Sequence, residues 1–540
     1  MARLAQWASP RLGTGLAQRL CDLRELSPKL QIVVDMVSEG DIPSHRVPWP
    51  IPAFIKTSDE YWLLRPSNFT ISVLPSALDP GTRCPLVDAA AVRYESVLNR
   101  PECLRIPPKA VEAYRQHSAG YISRLVVTLL GACESFPEPL MDEHYILRIT
   151  SSPKKNVLLA NSPWGLLRGL ETFSQLVYGL SNDLFAINST YIRDYPRFPH
   201  RGLRIDTSHH FLSMRSIKKT LDAMVMNKMN VLLWKMVGND SFPLRMTSLL
   251  ELSSRGAYRT GSHEYRAEDI AHVIEYGRVR GVRIVPEVHS LDNMASVGRS
   301  HPELLCGKSG FLDPTHKDAL SLVRVLYTEL ARLFPDQLVH VGGQEFSSSC
   351  WNNDSALMKR VEESSGSVKA FATLFFDSLF QIPYRLRKAA VVSDQIIERW
   401  NVTVPRIVLV EVPSSRLAER MGPVTSAGHR SLAFCDGLLE HNWTRLYACD
   451  PHGFEGTQTQ KRRVLGGGTG PTGQYIDGTN LISSIWPWAS AVAEALWSPK
   501  KQTDLLGVEG RLAQMRCLML KRRFAAQPVG PGYCPCDVLF

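Results

Sequence analysis

The chain has 540 residues, 44% hydrophobic and 21% charged, an ordinary globular composition that excludes a disordered polymer and is too long for one small core. The formal net charge of +10 is scattered, densest at Lys461–Arg463 and Lys521–Arg523. It comes with no basic stripe and no zinc-finger or RNA-binding signature, so no nucleic-acid partner is expected. No run of 18 apolar residues occurs, so no transmembrane span is expected either.

Residues 1–50 read as a loosely packed leader in which no signal peptide is evident. Residues 51–200 read as a small α+β domain. Phe69–Leu74 and Arg124–Leu130 have strand composition, and 145–151 and 156–160 form a hairpin across a polar Ser-Pro-Lys-Lys turn. Residues 162–179 carry Leu166, Leu170, Phe173 and Val177 at helical spacing. From residue 201 to 540 the pattern becomes strand–helix repeats. Apolar runs at 230–237, 282–288, 337–343, 389–393, 406–412 and 431–435 alternate with helices at 214–229, 267–280 and 318–334. Unbroken Val/Ile/Leu runs are the mark of buried parallel strands. The fold class is therefore α/β: a (β/α)8 TIM barrel, distorted in its last third, behind a smaller N-terminal α+β domain. Active residues belong at the carboxyl ends of the strands.

The segment HVGGQEFSSSCW (340–351) carries the chemistry. It reads as a strand end, a glycine turn and a presented acid, Glu345. Glycoside hydrolases of the common type use two carboxyl groups, and here the neighbour is an amide, Gln344. The glycine-rich string VLGGGTGPTG (464–473) lacks the Walker lysine and its helix, and no Cys/His cluster has metal spacing. Neither a cofactor nor a metal is expected. His209 and His210 read as packed barrel residues. Eleven cysteines and N-x-S/T sequons at Asn68, Asn188, Asn239, Asn353, Asn401 and Asn442 point to a lumenal or extracellular protein.

RGLRIDTSHHFL, TLDAMVMNKMNVLLW, SFP, HVGGQE followed by CW, GTQTQK and a terminal GYC occur in that order, with WGLLRGLETFSQLVY ahead of them. Together they resemble the β-N-acetylhexosaminidases of glycoside hydrolase family 20, close to the animal lysosomal α and β subunits. The resemblance implies release of terminal N-acetylhexosamine from glycans by substrate-assisted hydrolysis, in a lysosomal or secreted setting. It makes Glu345 the general acid, Arg201 a sugar-binding arginine, and Gln344 the occupant of an aspartate position that orients the acetamido group. It also implies disulfides Cys84–Cys133, Cys306–Cys350 and Cys517–Cys534. Cys21, Cys103, Cys435, Cys449 and Cys536 are left over.

The same comparison marks departures. Lys235 stands for a family histidine, and Gly238–Asn239 stand for paired aspartates. His289 replaces an aspartate, and Asn293 sits at a histidine position. Ser393, Glu411 and Thr472 replace tryptophans, and Gln474 replaces a sugar-holding glutamate. Two functions follow: a family glycosidase with hydrolysis weakened or lost, or a non-catalytic glycan-binding protein. A third, a regulatory subunit of a homodimer or of a heterodimer with an active member, would be favoured by an exposed apolar face at 481–497, a stretch that reads equally as a buried terminal barrel helix.

Overall fold

A computed structural model describes residues 47–78, 81–100, 103, 106–150, 156–290, 292–306, 310–343, 359, 363, 367–400, 404–500 and 507–537. In the first domain, β1 (Phe54–Leu64), β2 (Thr70–Val73), β3 (Arg124–Leu129), β4 (Tyr145–Ile149), β5 (Val157–Ala160) and β7 (Phe185–Asp194) form a mixed sheet in the order β1-β7-β4-β5-β3-β2. A short β6 (Tyr178–Gly179) pairs with β7. The expected hairpin is there as the antiparallel pair β4–β5.

The helix Pro163–Leu176 is capped by the Ser162 hydroxyl and buried along its whole length, because both of its faces are used. Leu166, Leu170 and Phe173 pack into the core of the first domain. Its polar residues reach the second domain. Arg168 donates to the Gly281 carbonyl at 2.7 Å, Gln175 to the Met226 carbonyl at 3.0 Å, and Glu171 receives Arg522 at 2.9 Å.

The second domain is a closed parallel barrel of β8 (His200–Asp206), β9 (Val231–Val237), β10 (Arg283–Val288), β11 (Leu338–His340), β12 (Ala389–Ser393), β13 (Leu409–Pro413), β14 (Ser431–Cys435) and β15 (Val464–Thr469). β15 is the glycine-rich string, so that segment is the closing strand. Side chains would not fit there: a Cβ on Gly466 would lie 2.1 Å from the His200 carbonyl, and one on Gly467 2.2 Å from that of Ala433.

The barrel interior is layered, as alternation along parallel strands requires. Val285, Leu338, Val391, Leu409 and Leu432 make an apolar plug at the amino-terminal end. Charged side chains fill the layer above it.

Three expectations are resolved here. Trp49, in the segment read as a loose leader, is 2% exposed and donates its indole N–H to the Ser490 carbonyl. Of the two readings of 481–497 the buried one holds: the helix Trp488–Trp497 is buried throughout and packs in the barrel core rather than forming an exposed apolar face. Four of the five remaining cysteines are not spare, because Cys103 pairs with Cys536 and Cys435 with Cys449. Cys84–Cys133 and Cys517–Cys534 form as expected. Cys306 is disulfide-bonded, while its expected partner Cys350, like Cys21, lies outside the described residues. Among the described sequons Asn68 and Asn442 are exposed, whereas Asn188 is buried and bonded to Tyr178 and the Ser58 carbonyl. No described helix is long and apolar enough to cross a membrane.

Candidate active site at the barrel mouth

Strands β8, β9, β10 and β13 bring an ionic network together toward the carboxyl end of the barrel. Arg204 on β8 is its hub. Its Nε meets Glu287 of β10 at 2.7 Å, and its Nη2 meets Glu411 of β13 at 2.7 and 3.0 Å. The guanidinium lies 4.2 Å from the centre of the Phe434 ring. Glu287 also faces Nε2 of His289 at 2.9 Å, and Nδ1 of His289 faces Asp292 at 2.9 Å. A second pair, Lys235–Asp206 at 2.8 Å, closes the β8–β9 side. Toward solvent, His209 contacts Asp240 at 2.5 Å and His210 reaches the Gln474 carbonyl at 3.0 Å.

These partners set the charges. Burial would raise the Glu411 carboxyl, but Arg204 overrides it and holds the pKa down at about 2. Burial acts the same way on Glu287, and Arg204 with the two histidines pulls it well below the carboxylate range. For His289 burial favours the neutral ring, yet Asp292 and Glu287 on its two nitrogens raise it to about 9. Near neutrality His289 is an imidazolium between two carboxylates.

The sign of the pH dependence follows. The depressed glutamates contribute stability that is present above their ordinary pKa of 4.5 and lost as pH falls through their folded values. His289, raised from 6.5, contributes stability that is full below 6.5 and lost as pH rises through about 9. The network is strongest between about pH 4.5 and 6.5. Urea midpoints measured from pH 5 to 9.5 are expected to decline with rising pH, and His289→Gln should flatten that decline. An alkaline limb identical in the variant would contradict the assignment.

Glu287, His289 and His340 place ligand atoms within 4.8 Å of one another, a spacing that suits a divalent cation. Arg204 lies against this group, with Nε 2.7 Å from Glu287 and Nη2 3.4 Å from Nε2 of His340, and brings a positive charge of the chain's own.

The expected site residues divide into three groups. Asn293 and Gln474 lie at the mouth. Asn293 is 9% exposed at φ +55°, accepts from the Asn239 amide at 2.9 Å and sits 3.3 Å from Nδ1 of His289. Gln474 is exposed on the turn after β15. Gln344 and Glu345 lie outside the described residues. The turn leading to them is anchored, because Asp292 accepts from the Gly343 N–H at 3.1 Å. A Cβ on Gly342, at φ +90°, would lie 2.7 Å from the His289 ring.

Arg201 is elsewhere, and its expected role is corrected. It begins β8 rather than ending it, so it sits at the opposite end of the barrel, fully buried. Its Nη2 bonds Glu143 of the first domain at 2.6 and 2.7 Å, and its other donors reach the Lys228 and Phe198 carbonyls. His209 and His210, read as packed residues, instead reach the mouth. The sequence signal for both corrections was position relative to the apolar run GLRI: Arg201 precedes it and the histidines follow it.

A parallel barrel with its convergent polar side chains at the carboxyl ends of the strands belongs to the class that builds ligand sites from its βα loops. Residues 198–500 match the glycosyl hydrolase family 20 catalytic domain, and residues 48–176 match the beta-acetyl hexosaminidase like domain. The chain belongs to glycosyl hydrolase family 20. It is 36% identical over 525 residues to beta-hexosaminidase subunit beta of Mus musculus, covering 94% of this chain and 96% of that protein. Identity to beta-hexosaminidase subunit alpha of Bos taurus is 35% over 507 residues, 90% of this chain and 94% of that one. The solved chitobiase of Flavobacterium johnsoniae shares the fold with a TM-score of 0.73 at 21% identity, covering 88% of this chain and 73% of that one.

Proposed function

We propose that this chain is a β-hexosaminidase-like protein that recognises N-acetylhexosamine-bearing glycans and hydrolyses them weakly or not at all. The observation that carries this reading is the network at the mouth. Glu287, Glu411, Asp292 and Asp206 are each held by a cation of the chain itself: Arg204, His289 or Lys235. Substrate-assisted cleavage develops positive charge at the sugar, and carboxylates already neutralised in this way offer it little. Gln344 adds an amide where the resemblance calls for an anion. The loss of one well-placed electrostatic contact costs roughly 10²–10³ in rate. Glu411, standing at a tryptophan position, turns part of the apolar platform for a sugar ring into a charge.

Polar groups remain at the rim for recognition. Asn293 and Gln474 are the proposed sugar contacts, and Glu345 keeps the proton-donor position. Titration with N-acetylglucosamine and chitobiose is expected to show binding without product. Gln474→Ala should weaken it roughly tenfold, as loss of one hydrogen bond worth about 1.4 kcal/mol would. No binding of either sugar would contradict the glycan reading.

A second reading is supported by the relatives, whose names are those of subunits alpha and beta. In it, this chain is the non-catalytic partner in a homodimer or in a heterodimer with an active family member. The disulfides support an oxidising compartment, lysosomal or secreted, for either form.

A further inference from the structure

The amino-terminal end of the barrel, opposite the family's active face, holds a cavity of about 330 Å³. That volume falls in the range of small-molecule sites. Its floor is the apolar plug, through Leu338, Leu409 and Leu465. Its walls carry Arg387, Lys388, Arg406 and Arg430, and exposed Tyr384 and Ile407 stand beside them. Arg283 also lines it but is matched by Asp336 at 2.7 Å. No carboxylate is among the lining residues, and among the described residues none forms an ion pair with Arg387 or Arg406.

A merely solvated basic surface would be convex and mobile, with acids interspersed. This one is concave, and two of its cations, Lys388 and Arg406, lie against neighbouring backbone. Nζ of Lys388 donates to the Phe334 carbonyl at 2.7 Å and to the Asp336 carbonyl at 2.5 Å. Arg406 lies against Gly428, where even a methyl group would come within 3.1 Å of its Nε. The arginines cluster because three successive strand entries, those of β12, β13 and β14, begin at this rim: Arg387–Lys388 before β12, Arg406 before β13, Arg430 before β14.

We infer that this cavity binds a small amphiphilic phosphate monoester, with its dianionic head on the arginine and lysine wall and its apolar body on the leucine floor. Guanidinium forks match phosphate oxygens bidentately, and several cations together favour a dianion over a monoanion. The pocket's apolar base gives the organic part a place that bare phosphate would leave unfilled. The inference is independent of catalysis at the opposite mouth.

The test is calorimetric titration of the intact, disulfide-bonded chain with phenyl phosphate, phenyl sulfate and inorganic phosphate. The variants are Arg387→Ala/Arg406→Ala and, as a control for net charge, Arg259→Ala together with Arg255→Ala. Phenyl phosphate is expected to bind at least tenfold more tightly than inorganic phosphate or phenyl sulfate. The Arg387/Arg406 double variant should weaken it at least tenfold, with an unchanged thermal midpoint, while the control double variant changes it less than twofold. Equal binding of inorganic phosphate would overturn the amphiphile, and tighter phenyl sulfate would overturn the phosphate. No binding, or binding that both double variants weaken equally, would overturn the site.

Discussion

Arg204→Met is expected to lower stability by about 3–5 kcal/mol, the range for removing one partner from a buried ion pair. The hub is 7% exposed, and its removal takes the short ion pair from Glu411, leaving His340 at 3.6 Å, and takes from Glu287 the strongest of three neighbours, with His289 and His340 remaining. The cost comes from two buried carboxylates left under-compensated, since a desolvated charge that loses its main counter-charge is poorly tolerated in the interior. The double variant Arg204→Met/Glu411→Leu should therefore recover part of the loss. Glu411 no longer needs a cation, and Glu287 keeps His289. Urea unfolding of the wild type, both single variants and the double variant gives the cycle. A double variant as unstable as the sum of the singles would show that the two side chains act independently, contrary to the network described.

Glu143→Leu is expected to be similarly costly, about 3–5 kcal/mol, but at the domain interface. Glu143 is 1% exposed. It accepts from Arg168 at 2.8 Å and from Arg201 at 2.6 and 2.7 Å, so one substitution leaves two buried guanidiniums without their anion. Burial and the neighbouring Arg168 already press the Arg201 pKa down, against the pull of Glu143. Arg168 and Arg201 also bond carbonyls on the barrel side, so their release should loosen one domain from the other. Calorimetry is expected to show the single unfolding transition of the wild type split or broadened in Glu143→Leu. A uniform shift smaller than 1 kcal/mol would mean that this clamp is dispensable.

The frame of the molecule was legible because its signals are local. Val231–Val237 and Arg283–Val288 are mostly apolar, interrupted by Lys235 in one and Arg283 and Glu287 in the other, and such Val/Ile/Leu-rich stretches read as buried strands. β15 was harder, because close approach of neighbouring backbones filled Val464–Thr469 with glycine and removed the side chains that mark a strand. The site was legible by position and misjudged by partner. Glu411 and His289 were visible as departures at strand ends. That both join one network through Arg204 depends on three strands meeting inside a closed barrel, and no spacing in the chain encodes such a meeting. The helix Trp488–Trp497 shows the same limit, since an apolar segment does not say whether its partner is another chain or its own barrel.

Whether the mouth still cleaves a glycoside is read from hydrolysis of chromogenic N-acetyl-β-glucosaminide and N-acetyl-β-galactosaminide by the pure, disulfide-bonded protein from pH 4 to 7, beside a Glu345→Gln control. Turnover at or near that of the control is expected on both substrates, while N-acetylglucosamine still binds. Robust turnover that disappears in Glu345→Gln would contradict it and establish an active hexosaminidase working through a rebuilt mouth.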